Sequence, residues 1–502
     1  MKTPLLFILF IAALTGCGVS KSSVTPNKKY SLQQVQQDYT VYREILEQHH
    51  PGLYWYTSKD SMDYYFSRGQ QQLKDSMTES DFRKLLSYIT SKINCGHTSV
   101  RPSKGWNKYS DTVRLAKIFP LSVKLWPDTM VVSLNLNRKD SLLKRGTIIT
   151  KIDYNPVAAI TDTMFNYISS DGYNLTHKYQ SLSNRGYFGA LYTSLYGLSE
   201  KYVIEYKDST GQTKTTIIPV YNPAADTPAR RTGPRIIRSI PQPSKKERRD
   251  QQLGASRLLK IDSANHTAMM TLSTFAKGYG LKKFFKNSFR ALQKHNIGHL
   301  IIDVRGNGGG SVGNSTLITR YLANQKFKTG DSLYAISKKG RYDKYIQNHF
   351  WNKLFISMLT KKKSDGFYHF GYFERHYFKP KNHHHFNGKT YILTGGNSFS
   401  ATTLFTSALI KQENVIVIGE ETGGGSYGNS AWLIPDVTLP ATGVRFRLPL
   451  FRLVIDKNAP KNGRGILPEV ASTPTVEAII RNTDFKVEKA MELIEKDKKP
   501  HQ

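Results

Sequence analysis

Residues 391–426 read YILTGGNSFSATTLFTSALIKQENVIVIGEETGGGS. Residues 391–394 form a short apolar run that ends in Gly395-Gly396, the pattern of a buried strand entering a tight turn. Beyond the turn, Ala401, Leu404, Phe405, Ala408 and Leu409 share one face at a 3.6-residue period, which predicts a helix. Residues 415–418 then read as a second strand. Ser400 therefore stands at a strand-to-helix junction. Free N–H groups and the positive end of the helix dipole stabilise negative charge there. The N–H of Ala401 is placed to face an oxyanion while Ser400 attacks a carbonyl. Read alone, the stretch equally allows Ser400 or Ser398 to be an N-cap and nothing more.

A second strand with a glycine-rich turn lies upstream, HLIIDVRGNGGG at residues 299–310. Such a turn brings backbone N–H groups close to a ligand because it carries few side chains. Together the two stretches resemble the tail-specific (C-terminal-processing) and tricorn-core serine peptidases. That family's D-x-R-x-N-x-G-G turn appears as Asp303, Arg305, Asn307, Gly309 and Gly310. Its serine turn appears as Ser400-Ala401-Thr402-Thr403, followed by Gly419-Glu420-Glu421-Thr422-Gly423-Gly424. Residues 463–469 (GRGILPE) resemble its G-x-G-I-x-P-D segment, and Gly96-His97-Thr98 its G-H-T segment.

The resemblance implies an α/β fold with a ClpP/crotonase-like catalytic core, expected at residues 256–480. An N-terminal helical region is expected at 30–105 and an inserted, degenerate PDZ-like β-rich module at 110–221. In the module Thr147 replaces the usual Asp, and Tyr154-Asn155 replaces Asn-Gly. The module either binds or gates a substrate tail, as the resemblance implies, or is a structural insert. A basic linker or loop is expected at 222–255, and a C-terminal helix and tail at 481–502. The implied activity is that of a serine endopeptidase acting on extended polypeptides or C-terminal tails, with no cofactor and no metal. The alternative class is a non-catalytic ligand- or peptide-binding lipoprotein, because a fold does not fix a function.

The chain has 502 residues, enough for two or three domains with a sizeable core. Its 39% hydrophobic content argues against disorder. The formal charge of +34 favours contact with anionic material such as phospholipid headgroups, or is simply a solvated basic surface. Zinc-finger spacing, a recognition helix and a phosphate loop are all missing, so nucleic acid is not an expected partner.

The two cysteines are Cys17 and Cys95. Residues 1–17 (MKTPLLFILFIAALTGC) join a basic start to an apolar run too short to span a bilayer, which reads as a signal peptide. They end in Leu14-Thr15-Gly16-Cys17, which resembles a bacterial lipobox. Cys17 is thus the expected lipidation site, residues 18–29 a polar tether, and the cell envelope the expected location. Cys95 is then the only remaining thiol.

Along the rest of the chain, helices are expected near residues 31–47, 61–75, 79–93, 280–295, 314–323 and 487–494. Strands are expected at 267–272, 299–304 and 333–336. Residues 340–388, rich in aromatics and lysine, read as a loop or lid.

A serine hydroxyl needs a base to become a useful nucleophile. Many tail-specific proteases place a lysine in a T-x-G-K-G turn, but Gly425 holds that place here and no lysine occurs between Lys411 and Lys457. The tricorn-like branch takes a histidine from the segment before the PDZ-like module, and His97 matches it. A neutral imidazole accepts the serine proton near neutral pH. His49, His50 and His383-His384-His385 are weaker candidates. The partner that orients His97 stays open between Glu421 and Asn462. Gly309 and Ala401 are the expected oxyanion donors, with Gly310 as second choice. Cys95, two residues from His97, is either a competing nucleophile or a small buried residue.

Overall fold

The structure, a computed structural model, describes residues 25–112, 116–224 and 243–498. The leader with Cys17, most of the tether and much of the basic stretch lie outside the described residues.

The centre is a six-stranded sheet in the order Arg257–Asp262, Thr267–Leu272, His299–Asp303, Lys389–Thr394, Val415–Gly419, Val470–Ala471. The first pair is antiparallel and the others are parallel. Parallel neighbours require crossovers, and the helices Leu281–Lys294 and Ala401–Leu409 supply two of them. The inner strands His299–Asp303, Lys389–Thr394 and Val415–Gly419 are mostly apolar and buried because both faces are covered. Successive residues point to opposite faces. Leu300, Ile302 and Ile392 pack with Phe285, Phe289 and Phe405 on one side. Ile301, Tyr391 and Leu393 pack with Ala490 and Ile494 of the C-terminal helix Phe485–Lys498 on the other. This is the α/β architecture expected from the sequence.

The N-terminal helices Leu32–His49, Lys59–Gln71 and Glu79–Ser91 have no core of their own. Their Val35, Tyr42 and Phe82 share one core with Leu333, Phe446 and Phe451, from strands some 250 to 400 residues later. Leu333 and Phe451 lie on neighbouring strands of a five-stranded sheet, and Phe446 lies in a three-stranded sheet. That smaller sheet also contains Val100–Arg101, directly after the His97 loop, with Val100 paired to Phe446. The β-rich module has a separate core, in which Met130, Ile149, Phe188 and Tyr202 are buried. Its main strands are Leu121–Trp126, Thr129–Asn135, Ile148–Ile152, Lys201–Lys207 and Thr213–Pro219.

Two expectations about local structure fail. Residues 340–388 are not one loop: they hold the helix His349–Leu359, the short helix Gly371–Arg375 and the paired strands Lys361–Lys362 and Tyr368–His369. Phe350, Trp351 and Met358 of the first helix are exposed, which blurs the apolar period that would have announced it. Residues 245–256 of the basic stretch form a helix whose start is a capping box between Ser244 and Glu247. It buries no residue, so no hydrophobic period betrays it.

Asp38 ties the first helix to the distant sheet. Its fully buried carboxylate accepts from the N–H groups of Ala441 and Thr442, both at 2.8 Å, and from Thr442 Oγ1 at 2.6 Å. A buried donor left without its acceptor costs about 1–3 kcal/mol. Asp38→Ala is therefore expected to lower the unfolding free energy by about 2 kcal/mol or more, read as a shift of the urea midpoint.

Candidate active site

The strands His299–Asp303 and Lys389–Thr394 are parallel neighbours, so their glycine-rich turns leave the same edge of the sheet side by side. Hydrogen bonds fasten one turn to the other. Phe399 N–H donates to the Asn307 carbonyl (3.1 Å), as does Thr402 Oγ1 (2.9 Å). Ser398 Oγ donates to the Val304 carbonyl (2.8 Å) and accepts from Gly395 N–H (3.2 Å). Ser398 is thus a structural clamp.

Ser400 is different. It stands at φ 58°, ψ −121°, outside the regions an L-residue ordinarily adopts, and its side chain caps nothing. Such strain persists only where the surroundings impose it, and it gathers at functional sites. Gly309, at φ +95°, allows the close approach: a Cβ there would lie 2.7 Å from Ser400 Cβ and from the Phe399 carbonyl. Ala401 N–H, the first of the helix, has no acceptor among the described residues. Gly309 N–H is already given to Asn307 Oδ1 at 2.9 Å, which removes it as an oxyanion donor in this state. Gly310 N–H has no such partner, and Gly310 lines a cavity of about 370 Å³ together with Ser400. Val312, Leu404, Ala431, Trp432, Ile434 and Leu453 make that cavity largely apolar.

His97 reaches the site from the N-terminal region. Its ring centroid lies 4.9 Å from that of Phe399, the residue before Ser400. The imidazole is 5% exposed and neither ring nitrogen has a hydrogen-bond partner. Burial first, and then the positive charge of Arg447 and repulsion from the protonated forms of its other neighbours, push it down to about 3, so it is neutral near pH 7. His50, in the His-Pro-Gly turn, holds the loop by bonding Thr98 Oγ1 through Nε2 (2.7 Å). His177 flanks Phe399 at 5.1 Å, with Nδ1 on the Gly396 carbonyl at 2.8 Å.

The carboxylate beside His97 is Asp171. Its Oδ1 lies 3.9 Å from His97 Nδ1 and accepts from Gly96 N–H (2.9 Å), while Oδ2 accepts from Gly425 N–H (3.3 Å). Neither sequence candidate for this place occupies it. Glu421 is bound by Arg464 Nε (2.9 Å) and Nη2 (2.5 Å) and by Gly465 N–H (2.6 Å). Asn462 is exposed and accepts from Arg464 N–H (3.0 Å) within its own turn. Both stabilise the segment around residues 462–466 instead. Asp171 belongs to no motif, and its neighbours are 75 and 254 residues away in the chain, so local pattern gave it no signal. Cys95 is buried, with Sγ 3.7 Å from the Ser430 carbonyl.

Residues 266–472 match peptidase family S41. The match spans both glycine-rich turns and makes this chain a serine-type peptidase. The whole fold agrees: mature CPAF superposes with a TM-score of 0.61 at 15% identity, over 93% of this chain and 99% of that one. Mature CPAF complexed with lactacystin gives 0.60 at 14% identity, over 93% and 97%. At such identities the likeness speaks for the fold. Compared with curated protein sequences, the chain matches none.

Burial raises the Asp171 carboxyl from 3.8 to about 6. The native state thus holds the protonated acid better than the unfolded chain does. The stability this gives is fully present below about pH 4 and is lost as pH rises through about 6. The ionised form then costs roughly 3 kcal/mol. Asp171→Asn is expected to raise Tm above wild type at about pH 8 and to lose that advantage at about pH 4, by scanning calorimetry.

Proposed function

We propose that this chain hydrolyses peptide bonds of extended polypeptides or C-terminal tails by acyl transfer through Ser400. His97 acts as general base and Asp171 orients it. The observation that carries the reading is a strained, uncapped Ser400 that lines an apolar cavity, with a buried, neutral His97 packed on the preceding Phe399 and a carboxylate beside it. Catalytic hydrogen bonds commonly tighten only when substrate is bound. A shift of the His97 ring toward Asp171 makes the Nδ1–H bond and leaves Nε2 to take the Ser400 proton. His97 then returns that proton to the leaving amine, and a water molecule repeats the cycle on the acyl-enzyme. The N–H groups of Ala401 and Gly310 receive the oxyanion. The apolar cavity beside Ser400 takes an apolar substrate side chain.

Lys277 is exposed and lines the same cavity, which supports a second reading in which it serves as the base. A fluorophosphonate probe and a peptide substrate separate the two. Ser400→Ala is expected to abolish labelling and hydrolysis in a folded protein. His97→Ala is expected to lower kcat by about 10³-fold or more, and Lys277→Ala to change it little. Loss of labelling in Lys277→Ala but not in His97→Ala gives the base to the lysine.

Residues 1–17 support a further part of the proposal, a lipid anchor at Cys17 that holds the peptidase on the bacterial envelope facing the periplasm or exterior. No helix among the described residues is long and apolar enough to cross a membrane. Cys17→Ala is expected to lose incorporation of radiolabelled palmitate and to leave the membrane fraction for the soluble one.

A further inference from the structure

Cys95, His97 and Asp171 form a cluster that the peptidase reading uses only in part. One donor atom from each lies within 4.8 Å of the other two, and all three residues are buried. Both His97 nitrogens lack a partner although the residue is 95% buried. An unpaired polar group in such a place costs free energy unless something meets it. Asp171 is a fully buried carboxylate whose hydrogen-bond partners are two backbone N–H groups. Both ordinary reasons for burying such groups together, a base–carboxylate pair and a metal, apply to this geometry.

We propose that Cys95, His97 and Asp171 are a binding site for a divalent transition metal of zinc type, and that its occupancy inhibits the peptidase. The donor set is one sulfur, one nitrogen and one oxygen, which suits zinc and leaves a fourth position for water. Donor atoms on a tetrahedral zinc stand about 3.3–3.6 Å apart, given bonds near 2.0–2.3 Å. The 3.9 Å between His97 Nδ1 and Asp171 Oδ1, and the 4.8 Å limit on the whole set, require closure by at most about 1.5 Å, within reach of side-chain rotation. Charge balances: a dication, the Cys95 thiolate, the Asp171 carboxylate and neutral imidazole sum to zero, and the thiol proton leaves to solvent. The backbone N–H groups of Gly96 and Gly425 already fix the carboxylate, as outer contacts do at metal sites. Gly96, between Cys95 and His97, lines a cavity of about 370 Å³ that brings solvent space up to the loop. The inhibitory consequence rests on His97 being the base, since the metal takes its lone pair; the site itself does not.

The test uses the chelator-stripped full chain and Co²⁺ as probe. One equivalent is expected to bind with a thiolate-to-cobalt charge-transfer band. Cys95→Ser is expected to lose the band, and Asp171→Asn to keep it with affinity about 10-fold weaker or more. In parallel, Zn²⁺ is expected to suppress wild-type hydrolysis, reversibly with chelator. For Cys95→Ser, scored against its own metal-free rate, the inhibiting concentration is expected to rise about 10-fold or more. No band in wild type overturns the proposal, and so does an unchanged band in Cys95→Ser, which puts the metal elsewhere. Hydrolysis that ignores Zn²⁺ overturns it as well. If metal-free wild type hydrolyses nothing, the serine mechanism fails while the cobalt arm still decides the site.

Discussion

The contact on which the site depends is backbone against backbone, where the turn after His299–Asp303 meets the turn after Lys389–Thr394. Two parallel strands in register deliver their ends to one place. Gly309 then lets the chains approach closer than any side chain would permit. The Asn307 carbonyl takes two donors from the serine turn, and Ser398 locks the Val304 carbonyl. These bonds hold Ser400 in its positive-φ conformation and leave Ala401 N–H without an acceptor among the described residues. Each bond contributes modestly, about 1 kcal/mol, and the three together are of the same size as the roughly 1–3 kcal/mol of strain at one residue.

The polar groups above that contact work the other way. A carboxylate held at about 6 and an imidazole held at about 3 both oppose folding over part of the pH range. Their cost is offset by the apolar cores on either side. Val100 paired to Phe446, and Asp38 bound to residues 441 and 442, fix the N-terminal region to the core on either side of the His97 loop. A protein built for stability alone would fill this place with apolar side chains. That it is polar and buried is a signature of chemistry.

Much of this was legible in the sequence, and the reason is locality. The strand-to-helix junction at Ser400 and the turn at 303–310 are each written in a dozen consecutive residues, and periods of two and 3.6 identify their elements. His97 stands out as a candidate because it sits in a short motif. Asp171 does not, because what makes it special is the meeting of Gly96 and Gly425, far apart in the chain. Glu421 and Asn462 were drawn in by nearness to motifs, yet Arg464 occupies both. The same limit hid the helix Lys245–Ser256, which buries nothing and so leaves no periodic trace.

The proposed site is therefore a composite. Ser400 comes from the central sheet, His97 from the loop between the N-terminal helices and the smallest sheet, and Asp171 from a segment between two helices of the β-rich module. None of the three regions carries enough of it to act alone. Asp171 crosses the boundary twice, to Gly96 and to Gly425, and so reports the docking of the module on both other regions at once. The module also touches the serine turn itself, through His177 Nδ1 on the Gly396 carbonyl, so its displacement reaches both His97 and the turn that carries Ser400. The strained turn at Ser400 is built mainly by two strands of the core, whereas the surroundings of His97 are a property of the assembled chain.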